Sequence, residues 1–189
     1  YIKITATGGS TRSSDPNRAS YTVEELRAIT DEAHRAGKLT ASHCASAQGI
    51  ENSLDAEVDM IIHCVFNEVD GTYRYRPDLV ERLVEANAWV NPTLYVVQSG
   101  IEHLEQKRSG EGLSSKEEAS LETSKRDLEV RVEAVRKMSD DGVRMVAGSD
   151  SPWGYYAPGE FVHEMELLER AGLSTADAVL AGTSWSADS

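Results

Sequence analysis

Five short apolar runs, separated by stretches with helical spacing, constrain this chain more than any other feature. They are "YIKITAT" at 1–7, "KLTASHC" at 38–44, "VDMIIHC" at 58–64, "AWVNPTLYVV" at 88–97 and "GVRMVAG" at 142–148. Between and after them the pattern predicts helices over about 22–36, 46–56, 77–86, 114–138, 158–171 and 174–182. Thr22 and Glu25 read as a capping box, Gly37 as the stop of that helix, and Pro77 suits a first turn. In the stretch 114–138, Leu121, Leu128, Val132 and Val135 make one apolar stripe on an otherwise polar helix. Residues 99–113, a mixture of Gly, Ser and charge, read as the least structured part.

Strand–helix units in series imply a parallel sheet with right-handed crossovers. Such a sheet is either open and doubly wound or closed into a barrel. No Gly-x-Gly-x-x-Gly turn follows any of the runs, which weighs against a dinucleotide-binding sheet. The polar residues instead gather at the C-terminal ends of the runs, where a barrel keeps its working groups. The expected fold class is therefore α/β, with a barrel favoured over an open dinucleotide-binding sheet.

Strand side chains alternate between faces, so the runs can be read for what they aim inward. In the first, Lys3 opposes Ile2 and Ile4. In the second, Leu39, Ala41 and His43 share a face, and in the third, Asp59, Ile61 and His63 do. Lys3, His43 and His63 can then converge on one axial cavity, with Asp150 of "VAGSDSPWG" joining from the rim. A lysine buried there needs compensation, since desolvation shifts an ammonium by up to about 3–5 pKa units. Either a carboxylate pairs with it, or the neutral amine takes up carbon dioxide as a carbamate able to bridge two cations. Histidine and aspartate are zinc ligands, and an open coordination position holds an attacking water. Cys44 and Cys64 each follow a histidine and so point the other way, toward the helices, as buried small hydrophobes.

Length and charge narrow the partners. The 189 residues fit one domain, 1–189, and a formal net charge of −13 argues against nucleic acid and anionic membrane surfaces. Two cysteines define no disulfide framework, and no apolar run reaches the length of a membrane span. The opening "YIKITATGG" reads as a strand interior, which suggests a chain that starts partway through a larger protein.

Taken together, "IKITATGG", "ASHC", "IIHC" and "VAGSDSPWG" resemble the later part of the metal-dependent amidohydrolase superfamily, its prolidase-like and imidazolonepropionase-like branch above all. The spacers "TVEELRAITDEAHRAGK" and "HEMELLERAGLSTADAVLAGTS" extend the resemblance over essentially the whole chain. It implies a (β/α)8 barrel of which about strands four to eight are present. It also implies a hydrolytic centre with two divalent metals, zinc foremost, acting on a small amide or dipeptide-like substrate. Lys3 would be the carboxylated bridging ligand, His43 and His63 ligands of the second metal, and Asp150 a ligand of the first that also shuttles a proton. Tyr95 in "NPTLYVV" matches a tyrosine that polarises the scissile carbonyl. The His-x-His pair of the family's first strand is absent from this sequence, so strands one to three are expected to be missing, with metal occupancy partial, single or nil. Lys3 favours the dipeptidase-like branch over a cyclic-amide hydrolase. The competing expectation is a scaffold without activity of its own. Five strands cannot close a barrel, so association with a second copy through exposed edges is also expected.

Overall fold

The structure, a computed structural model, describes all residues of 1–189 except 10, 12 and 152. Two compact units make up the chain, one of residues 1–92, 138–146 and 189, the other of residues 93–137 and 147–188.

The first unit carries the sheet. Strands β1 (Ile2–Ile4), β2 (Thr40–His43), β3 (Met60–Ile62), β4 (Trp89–Asn91) and β5 (Arg144–Met145) pair side by side in chain order, all parallel. Helices α1 (Val23–Arg35), α2 (Ala47–Asp55) and α3 (Pro77–Glu85) link the first four. The signals expected to start and stop them work as read. The Thr22 hydroxyl accepts from the Glu25 amide while the Glu25 carboxylate accepts from the Thr22 amide, and Gly37 takes φ +65° just past α1.

Register separates the two faces of the sheet. Ile4, Ser42, Ile61, Val90 and Met145 lie side by side, and all five are buried. This row faces the helices, because Ser42 meets the Cys44 thiol, which in turn lies 3.5 Å from Ser53 of α2. Phe66, Leu26, Ile50, Leu79 and Leu83, all fully buried, complete this core. Each such side chain contributes about 1.5–3 kcal/mol on leaving water. The opposite row is Lys3, Ala41, Met60, Trp89 and Arg144. Its ends are polar, and the Arg144 guanidinium stacks 3.6 Å above the Trp89 ring.

Two expectations are corrected here. Asp59 and Ile61 do not share the inward face: Ile61 pairs with Ser42 on the helix side, and the Asp59 carboxylate reaches His34 of α1. Lys3 lies on the inward face as expected but is exposed, because β1 is an edge strand.

The second unit is helical: α4 (Leu94–Gly110), most of α5 (Ser115–Asp140), α6 (Val162–Arg170), α7 (Thr175–Ala181) and the short α8 (Ser184–Asp188). Leu121, Leu128, Val132 and Val135 of α5 are all buried, so the stripe read from spacing is the packed one. Lys125 and Glu105 (2.7 Å), Lys107 and Glu117, and Arg108 and Glu118 (3.8 Å) pair α4 with α5. Exposed pairs of this kind contribute about 0–1 kcal/mol each.

The helix α4 overturns a reading of the sequence. Its first residues, "LYVV", were expected to continue the fourth strand, and 99–113 to be irregular. The strand instead ends at Asn91, Thr93 turns into the left-handed region at φ 51°, and seventeen helical residues follow. A buried carboxylate far along the chain, Glu164, supplies the cap that the local sequence lacks.

Candidate active site

The C-terminal ends of the strands are built unlike the rest of the sheet. His63 follows β3 at φ 69°, Thr93 follows β4 at 51°, and Asp150 lies past β5 at 52°. Left-handed backbone at residues other than glycine costs about 1–3 kcal/mol and persists where the surroundings over-determine it. Glu57 and Asn87 share such angles, but each directly follows the C-cap of α2 or α3, where that conformation is ordinary.

His43 is the last residue of β2 and shares the inward face with Ala41 and Lys3. The loop after β1 wraps its ring. Nε2 lies 3.1 Å from the Gly8 carbonyl, and a Cβ at Gly9 would come within 3.3 Å of the ring. Because a carbonyl only accepts, Nε2 is the donor in this bond, and in the neutral ring Nδ1 is then the nitrogen able to accept. Alternation alone would send His63 toward the helices, since Ile61 faces them. The left-handed turns at His63 and Cys64 (φ 52°) reverse this. The His63 ring then meets that of His43 edge-on, with centroids 4.4 Å apart and planes at 74°. Cys64 goes to the other side, buried 3.9 Å from the Met138 sulfur, and Cys44 is buried likewise. Desolvation raises both thiols, Cys64 well above the ordinary cysteine range. Both cysteines lie away from the histidine rings, Cys44 by alternation and Cys64 through the left-handed turn.

Asn91 joins this row unanticipated. In register it follows His43 and Ile62 across the sheet, and its carbonyl accepts from the His63 amide at 2.8 Å. Its side-chain oxygen is buried with no hydrogen-bond partner among the described residues. An orphaned acceptor costs about 1–3 kcal/mol, and at a strand's C-terminal end it fits a ligand or water. The signal in the sequence was a polar residue between Val90 and Pro92.

The second unit holds the other two candidates, Asp150 and Tyr95. Tyr95 lies in the first turn of α4 and is buried. Its ring packs between Tyr156 and His163, with centroids 4.8 and 4.7 Å away, and its hydroxyl reaches Glu102 at 3.4 Å. Burial together with the nearby Glu102 charge pushes the phenol up to about 12, so it stays protonated at neutral pH. Glu164 accepts from the Leu94 and Tyr95 amides at 2.9 and 2.7 Å. Complete burial pushes its carboxyl up to about 7, against the pull of the amides of Tyr95, Leu94 and Thr93. Nothing near Glu164 in the sequence distinguishes it from the surface acids of α6.

A metal fits these residues in part. Two imidazoles in ring contact, one with Nδ1 able to accept in its neutral form, form half of a zinc-type donor set. Among the described residues, no group of three or more His, Cys, Asp or Glu side chains is close enough to hold an ion.

A parallel sheet with polar, left-handed residues at its C-terminal strand ends is laid out as in a (β/α)8 barrel. The amidohydrolase family model matches residues 1–189, and the chain belongs to that family. Among curated proteins it is similar to ochratoxinase of Aspergillus niger, 26% identical over 184 residues, which are 96% of this chain and 34% of that enzyme. Among solved structures it superposes on a Bifidobacterium longum protein assigned as a prolidase, with TM-score 0.74 and 28% identity, covering 99% of this chain and 44% of that one. A Xaa-Pro dipeptidase with methionine in its active site gives TM-score 0.73 at 22% identity, covering 99% and 42%. The ochratoxinase crystal structure gives 0.70 at 24%, covering 97% and 38%. The chain thus spans about a third of the curated relative, and its five parallel strands match part of an amidohydrolase barrel.

Proposed function

We propose that this chain is the later part of a metal-dependent hydrolase of amide or peptide-like C–N bonds, of the dipeptidase-like kind. The observation that supports it most is the His43–His63 contact at the C-terminal strand ends of an amidohydrolase-family sheet. His43, through Nδ1, and His63 would hold one divalent cation, zinc being the metal their chemistry suits. Lys3, as a carbamate, and Asp150 would complete a two-metal set. Such a centre supplies, when bound, an activated water for attack on a carbonyl. The residues of the chain do the rest. The Gly8 carbonyl accepts from His43 Nε2, the turn at His63 brings the second imidazole alongside, and Asp150 would take a proton from the attacking water and hand it to the leaving nitrogen. Asn91 offers an acceptor to a bound donor, and Tyr95, protonated, is suited to donate to a carbonyl.

Dipeptides, N-acyl amino acids, lactones and arylamides, assayed with added zinc or manganese, test the proposal. Turnover that Asp150→Asn lowers about a thousandfold or more, roughly 4 kcal/mol of barrier, is the expected result. Turnover unchanged by that substitution would refute it. A second reading is a scaffold without activity of its own. No turnover on any of these substrates would support it. We also propose self-association through the β1 edge, where Tyr1 and Ile2 are 52% and 40% exposed. A monomeric mass by light scattering at micromolar concentration would exclude it.

A further inference from the structure

The loop that carries Asp150 is strapped to one face of α4. Tyr95, Ser99 and His103 stand four residues apart on that helix, and the loop touches each of them. The Tyr155 amide donates to the Ser99 hydroxyl at 3.3 Å, and the Tyr155 ring stacks on His103, with centroids 3.9 Å apart and planes at 7°. The Tyr156 ring packs on Tyr95, while its hydroxyl donates to the Ser149 carbonyl. Within the loop the Trp153 amide donates to the Asp150 carbonyl at 3.0 Å. At Gly154, φ +103°, an added Cβ would lie 2.7 Å from the Ser99 hydroxyl and 2.9 Å from the Tyr156 ring. Only glycine allows the loop to come this close.

Burial accounts for the packing of Tyr156 on Tyr95, both of them buried, but not for the hold on Tyr155 and Trp153, which remain 65% and 58% exposed. They make sense as constraints on backbone direction. Asp150 sits at φ 52°, and an aspartate stays in that conformation when its neighbours leave no alternative. Ser149 is held by Tyr156, and residues 154–156 are held by α4. The first turn of α4 is itself fixed by Glu164.

We infer that Tyr156 and Ser99 are positioning residues, which aim Asp150 by seating its loop on the Tyr95–Ser99–His103 face of α4. The inference rests on the hydrolase reading for what Asp150 does, but not for the seat itself. It also gives the buried Tyr95 ring a task distinct from substrate contact.

The test uses Tyr156→Phe, which keeps the ring and loses the hydroxyl, and Ser99→Ala, with two independent readouts. Amide exchange by NMR should quicken about tenfold or more at Trp153 and Tyr155 in both variants, with Tm within about 2 °C of the parent chain. Unchanged exchange in both variants overturns the inference, whether or not the chain turns over substrate. In the zinc-supplemented chain, kcat should fall about tenfold with KM within about twofold, because neither residue touches substrate. A raised KM at constant kcat would instead make Tyr156 a substrate contact and overturn the positioning role. Asp150→Asn separates the two levels. If it leaves turnover intact the hydrolase reading fails, while the exchange result still decides the seat.

Discussion

The two ends of the sheet solve opposite problems. At the N-terminal end the Asp59 carboxylate accepts from the Thr40 amide, the Thr40 hydroxyl and His34, each at 2.8 Å, and Thr30 of α1 donates to the Ala56 carbonyl at 2.7 Å. These bonds join α1, β2 and the start of β3, and the left-handed residues at this end, Glu57 and Asn87, are the stops of α2 and α3. At the C-terminal end His63 and Thr93 are left-handed, two imidazoles crowd together, and the Asn91 side chain buries an unmatched acceptor. One end uses its polar groups to hold elements together, and the other leaves them on left-handed backbone and, at Asn91, unmatched. Barrel enzymes divide stability and function in this way between their two faces.

Acidity shows the same contrast. Partial burial pushes the Asp59 carboxyl up, but the hydrogen bonds from His34 and Thr40 outweigh it and hold it below the usual range. Its contribution is present above the unfolded pKa and is lost as pH falls through the lower folded value. Glu164, which holds the residues that follow β4, behaves in reverse. Its folded value of about 7 lies above the unfolded one, so its share of stability is full below the unfolded pKa and is lost as pH rises through 7.

The largest effect on stability is expected from that carboxyl. From pH 5 to pH 9 the parent chain should lose on the order of 3 kcal/mol that Glu164→Gln does not lose, measured by urea unfolding across pH. A slope identical in the two would remove the contrast. Next comes Asp59→Ala, which leaves two Thr40 donors unmatched and should cost about 2 kcal/mol, with metal binding and turnover unaltered. An effect on metal binding equal to that of losing His43 would mean the two ends are not separate in function. The smallest effect is expected at His63. Changing it to Gly relieves the left-handed strain and should raise stability by about 0.5–1 kcal/mol while weakening metal binding. A loss of stability there would show that the His63 ring is held for packing.

The sequence announced the sheet because each strand and helix carries its own local cause, such as the Thr22–Glu25 box or the α5 stripe. His43 was legible for the same reason, being the last residue of a run with regular alternation. His63 was placed near it by faulty reasoning, since alternation ends at Ile62 and a backbone turn delivers the ring. The start of α4 was illegible because its cap, Glu164, lies about seventy residues away in the chain. Valines at 96 and 97 favour strand locally, and a carboxylate binding the amides of residues 93–95 overrides them. The seat of the Asp150 loop was hidden likewise, since residues 95, 99 and 103 form a face only once that stretch is helical.

Calorimetric titration of zinc into the parent chain and into the His43→Ala/His63→Ala double variant bears most directly on the role of the C-terminal end. The histidine pair as ligands predicts binding at roughly one ion per parent chain, weakened about a hundredfold or more in the double variant. Equal affinity in the two proteins would contradict that role, and the proposed hydrolytic centre would fall with it.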